Sequence, residues 1–205
     1  MDFTDIMLNL EESNDQDIYL MKIGEVPVIL TAVHTMEQVK DNGEIKYAEP
    51  FTKAIARYVA ERVNCSYFIK TIDTGIDSNK ITPDEFKDEL LKIIKEHHIK
   101  LLIDLHGAKS ERDFDVEFGT LNNLSIDVTT VKSIESSFIA NGVTNIQYNN
   151  PFKGGGITQT VFDQTNIDIV QIEINKRFRS ITNVNNIEKI CLSLVDFVKK
   201  YSNFN

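Results

Sequence analysis

A chain of 205 residues with 41% hydrophobic and 26% charged residues has the make-up of one globular domain with a proper core, spanning 1–205 without an internal boundary. Its 22 basic against 31 acidic residues leave a formal charge of −9, which argues against nucleic acid or an anionic membrane surface as the partner. No apolar run approaches the roughly 20 residues that span a bilayer, and the acidic amino terminus lacks the basic start and apolar block of a secretory leader. A cytoplasmic protein is expected, with Cys65 and Cys191 as two buried reduced thiols rather than a disulfide.

Along the chain, apolar β-rich runs alternate with amphipathic helical ones. Residues 18–23 and 26–34 read as strands. The stretch 49–63 places Phe51, Ile55, Tyr58 and Val59 on one helical stripe. Residues 65–71 are a strand again, and 82–98 a helix with Thr82 as N-cap, Pro83 at its first position and Phe86, Leu90, Ile93 and Ile94 inward. The nearly all-apolar run into Asp104-Leu105-His106-Gly107 predicts a strand covered on both faces. Further strands are expected at 114–120, 144–149 and 167–175, with helices at 129–142, stopped by Gly142, and at 185–201. This order implies an α/β fold, a mixed and mostly parallel sheet with helices on both faces, whose ligands gather at the carboxyl ends of the strands.

Several polar residues fall on that edge. His34 ends one strand, with Glu37 three residues on; Asp104 and His106 end another; Glu173 sits in the last. His34, Glu37 and His106 form a two-histidine, one-carboxylate set suited to tetrahedral zinc with a fourth position left for water. Zinc lowers the pKa of such a water to roughly 7 and polarises a carbonyl. Glu173, a charge inside an apolar strand, is the candidate base. Each residue also has a plain structural role open to it. His106 is placed to bond Asp104, and the glycines at 154–156 suit a flexible loop. Gln171, Glu173 and Asn175 alternate with Ile172 and Ile174, the pattern of an edge strand with a solvent face. His97 and His98 fit the last turn of a helix, where positive charge is favoured.

The segments HTMEQ, DTGIDSNK, IDLHGA, NPFKGGGITQ and VQIEINKRFR, in this order, resemble the N-formylglutamate amidohydrolase family, relatives of the zinc carboxypeptidases and aspartoacylases. The resemblance implies a zinc carboxypeptidase-like fold and amide hydrolysis on a small-molecule substrate, an N-acylated and acidic amino acid or a short peptide. It makes His34, Glu37 and His106 the Zn2+ ligands and Glu173 the base, with Asp104 orienting a ligand from behind. The family's Asp-x-Asn-Arg segment matches DSNK, which puts Asn79 and Lys80 in the pocket with lysine in place of arginine. Lys80, Arg112, Arg177 and Arg179 are the candidates for a substrate carboxylate, Arg177 being carried forward, and the sequence does not choose among them. A small metallopeptidase and a non-catalytic binding protein on the same fold are the alternatives. Substrate size and oligomeric state are not legible.

Overall fold

Four of the six strand pairings in the main sheet are parallel, as βα alternation demands, and the two antiparallel ones lie towards its margins. A computed structural model describes residues 1–12, 16–39 and 43–204. The sheet is built, from one edge to the other, of β1 (Tyr19–Lys22), β5 (Cys65–Lys70), β2 (Val26–Ala32), β6 (Leu101–Ala108), β9 (Asp168–Asn175), β7 (Val116–Gly119) and β8 (Ile146–Tyr148). A short hairpin, β3 (Gln38–Val39) with β4 (Ile45–Lys46), stands apart from it. The α/β architecture expected from the sequence is therefore present.

The helices divide between the faces according to the parity of the strand residues. Val28, Leu30 and Ala32 of β2, Leu101, Ile103 and Leu105 of β6, and Val170, Ile172 and Ile174 of β9 pack into one core. Its helical partners are α1 (Phe3–Glu12), α2 (Thr52–Val63), α4 (Val128–Ala140) and α6 (Val184–Phe204). Ile29, Leu102 and Ile169 face the other way, against α3 (Glu85–Glu96) and α5 (Gly156–Gln164), where Phe86 stacks on Phe68 at 4.5 Å. Both cysteines are buried and free. Among the described residues no helix is long and apolar enough to cross a membrane.

Three local expectations need correction. The cap of α3 is Asp84, whose carboxylate accepts from the Lys87 N–H at 2.9 Å, so Thr82 and Pro83 precede the helix. Aspartate at this position satisfies an amide that the first turn leaves orphaned. Residues 156–164, which follow glycines suited to a flexible loop, form α5, which buries Ile157 and Val161. Last, β9 is no edge strand: it lies between β6 and β7, and all but its first residue are buried.

Candidate active site

On the face covered by α3 and α5, the strands change character as they run past the helices. In β2 the sequence goes from Ile29 to Thr31, in β6 from Leu102 to Asp104 and His106, and in β9 from Ile169 to Gln171 and Glu173. Register places Thr31 beside Asp104, Asp104 beside Gln171, and His106 beside Glu173. The alternation that suggests a solvent face in β9 thus marks the polar end of a buried one. Glu173 is only 5% exposed.

His34 lies two residues past the end of β2, and its carbonyl accepts the Glu49 N–H at 2.7 Å, which brings the turn before α2 back to the strand end. Three donor atoms converge there. His34 Nδ1 lies 3.0 Å from Glu49 Oε1 and 3.1 Å from His106 Nδ1, and His106 Nδ1 lies 3.5 Å from Glu49 Oε2. The outer nitrogen of each ring meets a carboxylate: His106 Nε2 is 2.9 Å from Asp104 Oδ2, and His34 Nε2 is 2.8 Å from Asp77 Oδ1. Asp104 is anchored in turn by the Thr31 hydroxyl at 2.7 Å. With a carboxylate beside each outer nitrogen, the Nδ1 of both rings is turned towards Glu49, where it can donate to that carboxylate or offer its lone pair to an ion. Lys46 Nζ stands 2.6 Å from His34 Nε2 and 3.1 Å from Asp77 Oδ2, an ion pair set beside the outer edge of the ring.

This donor set fits a metal ion. Ligand atoms about 2.0–2.1 Å from a tetrahedral zinc stand roughly 3.3–3.4 Å apart, close to the separations found. A proton bridges only two of three inward donors, whereas a dication satisfies all of them. Among the described residues, the carboxylate that groups with the two histidines is Glu49. Glu37, expected in that position, is exposed and lies outside the group. Glu49 carries no local signal: it falls fifteen positions after His34, and only the backbone bond between them makes the two neighbours.

Burial sets the charges. Burial alone would raise the Glu49 carboxyl, but hydrogen bonds to His106 and His34 hold it well below the usual carboxylate range. Burial likewise opposes the charged form of His106, yet Asp104 and Glu49 beside it push its affinity for a proton well above that of free imidazole. For Glu173 burial outweighs the favourable charges of His106 and His34 and pushes the carboxyl up to about 7. Its Oε1 accepts from Gln171 Nε2 at 2.8 Å.

A cleft of about 430 Å³ opens over this row, lined by His34, Glu49, His106 and Glu173, with Asn79 at its side. Lys80 lines the neighbouring cavity instead. Arg177 is exposed outside the cleft, with Nη2 3.3 Å from the Phe114 carbonyl. Arg179 is buried and committed to the carbonyls of Pro50, Ala108 and Ile174. Its guanidinium occupies the space a side chain at Gly107 would need, 2.3 Å from an ideal Cβ. The glycine run is a packing device as well: Gly155 and Gly156 press on Asn79 and on the Lys80 carbonyl, and a Cβ there would fall 1.9 Å and 2.1 Å from them. Gly155 N–H donates to Gln171 Oε1 at 2.6 Å, locking the loop to β9.

The family model of N-formylglutamate amidohydrolase matches residues 84–178, a span that holds Asp104, His106 and Glu173. The resemblance seen in the sequence is thereby upheld. An N-formylglutamate amidohydrolase from Ralstonia eutropha superposes with a TM-score of 0.64 at 12% identity, covering 91% of this chain and 99% of that one. A gene product of Agrobacterium tumefaciens gives 0.64 at 13%, covering 98% and 100%, and a bacteriophage poly-gamma-glutamate hydrolase 0.60 at 12%, covering 94% of each. At such identities these structures share the fold alone. No curated protein matches the sequence.

Proposed function

We propose that this N-formylglutamate amidohydrolase-like chain is a zinc-dependent hydrolase that cleaves the amide bond of a small, acidic, N-acylated substrate. The observation that carries the reading is the convergence of His34 Nδ1, His106 Nδ1 and Glu49 at 3.0–3.5 Å, with a carboxylate behind each ring and Glu173 in the same cleft. His34, Glu49 and His106 would hold the ion, which when bound supplies Lewis acidity towards an amide carbonyl and a water. With the ion bound, Asp104 and Asp77 would hold the two imidazoles in the tautomer that leaves Nδ1 free. Glu173 removes the proton of the attacking water and delivers it to the departing nitrogen, a double duty suited to a carboxyl poised near neutrality. Asn79 and the glycine loop form the wall against which the acyl group rests.

Elemental analysis tests the metal set. One zinc per chain is expected in the wild type and in Glu37→Ala, with loss in Glu49→Ala and His106→Ala. Retention by Glu49→Ala with loss in Glu37→Ala would reverse the assignment. Glu173→Gln should keep its zinc while kcat falls roughly 10²-fold or more on an N-acyl glutamate, the range for loss of general acid–base catalysis. Wild-type turnover in that variant would place the base elsewhere.

A further inference from the structure

The cleft does not end at the histidines. Lys46 lines both it and a second cavity of about 260 Å³ that reaches Lys80 and Pro83, so that side chain stands between the two spaces. At the other end the walls carry Lys109 and Arg112, on the loop after β6, and Lys153, on the glycine loop. All three are exposed, and none is held in an ion pair among the described residues. The carboxylates of the cleft, Glu49 and Glu173, belong to the reacting row between the two ends. Lys46 shares its charge with Asp77, but on a chain of net charge −9 Lys109, Arg112 and Lys153 gathered along one groove are a field for an anion.

One of these cations has a built support. Arg112 lies over the Phe152 ring at 5.1 Å. Phe152 is held by Glu117, fully buried, whose Oε1 accepts the Phe152 N–H at 2.7 Å and the Asn150 N–H as well. Glu117 is the ladder partner of Glu173, so one strand pair positions the base and, through the 150–153 wall, the guanidinium.

Strand order supplies the scale. Lys46 and Lys80 stand at the β5 and β2 side of the edge, through Asp77 and His34, and Lys153 stands at the β7 side, where its loop packs on Gly119. From β2 through β6 and β9 to β7 is three steps of about 4.8 Å, roughly 14 Å. An extended chain advances about 3.3–3.6 Å per residue, so some four residues span it. One acylated amino acid reaches a single end.

Building on the hydrolase reading above, we infer that the groove takes an extended acidic oligomer, with carboxylates bound on both sides of the amide that is cut. Water's hydroxyl joins the acyl carbon as the C–N bond breaks, and its remaining proton goes to the nitrogen, so the products are two shorter acidic oligomers.

The test separates binding from cleavage. Zinc-loaded Glu173→Gln protein is titrated with fluorescein-labelled glutamate hexamers, α- and γ-linked as separate arms, and with a glutamine hexamer. At least one glutamate hexamer should bind 10-fold or more tightly than the glutamine one, weaken with added salt, and lose 10-fold or more in an Arg112→Ala/Lys153→Ala background. Equal affinity for the charged and neutral hexamers, or an unaffected double variant, would overturn the inference. The wild type is then given the hexamers and N-formylglutamate. Cleavage of N-formylglutamate with a kcat/KM equal to or above that of both hexamers also overturns the oligomer, while sparing the hydrolase. Charge-selective binding with no cleavage of any amide upholds the groove and sinks the hydrolase.

Discussion

Glu173 has exchanged solvation for position, and the exchange is measurable. Its carboxyl is pushed up to about 7 by burial, against about 4.3 for an unfolded glutamate. Between those values the folded chain holds a proton that the unfolded chain has released, so stability falls as pH rises through the window and levels off above about 7. In metal-free protein, Glu173→Gln removes this liability. Urea unfolding should show the variant gaining on the wild type between roughly pH 5 and 8, by at most about 3 kcal/mol. A difference that does not change with pH would mean that Glu173 is solvated in the folded state. Asp104 sits in a different balance, because His106 and Thr31 take both of its oxygens. Asp104→Asn keeps the shape but can present an N–H to His106 Nε2, and zinc affinity should fall about 10–100-fold by competition titration. Undiminished affinity would leave Asp104 a purely structural residue.

At the scale of elements, the site depends on how α2 begins. Its N-cap, Phe51, adopts a left-handed conformation at φ 67° and offers no side-chain bond to the first turn. The cap comes from another helix: Glu11 of α1 accepts the Phe51 N–H at 2.7 Å and the Ala54 N–H at 3.2 Å. Glu49 lies two residues before that turn, so the same clamp steadies the proposed third ligand. Glu11→Ala should cost about 1–2 kcal/mol in urea unfolding, the usual price of a lost cap, and weaken zinc binding without touching the ion. Unchanged stability would show that water replaces the carboxylate freely. The helices with an apolar stripe, α3 and α6 among them, are legible from periodicity because their burial is written within one or two turns. Helix α5 is not. It starts on glycines that look like loop, and it forms where Ile157 and Val161 find the core of Ile29, Leu102 and Ile169, residues far away in the chain.

For the whole molecule, the two cores and the strand ends make one structure whose site joins segments from positions 34 to 173. A ligand that binds only when these segments are assembled stabilises the assembly, by about 4 kcal/mol at a thousand-fold excess over Kd. Chelation should therefore lower the Tm of the zinc-loaded protein, and added zinc should restore it. Glu49→Ala should show neither effect. A Tm indifferent to zinc in the wild type would count against a preformed site.

The sequence by itself determined the class of fold, the two histidines and the carboxylate of β9 as residues of the cleft edge, and the buried thiols. These rest on patterns a few residues long: alternation in strands, stripes in helices, a polar residue where an apolar run stops. Tertiary structure alone decided which carboxylate joins the histidines, because Glu49 reaches them through a bond to the His34 backbone across fifteen residues, while the nearer Glu37 turns outwards. It also decided the meaning of the alternation in β9. Whether Gln171 and Glu173 face water or a cleft depends on which strands flank β9, and those partners, β6 and β7, are chosen by hydrogen bonds between residues 52 to 67 positions apart in the chain. No local period contains that choice.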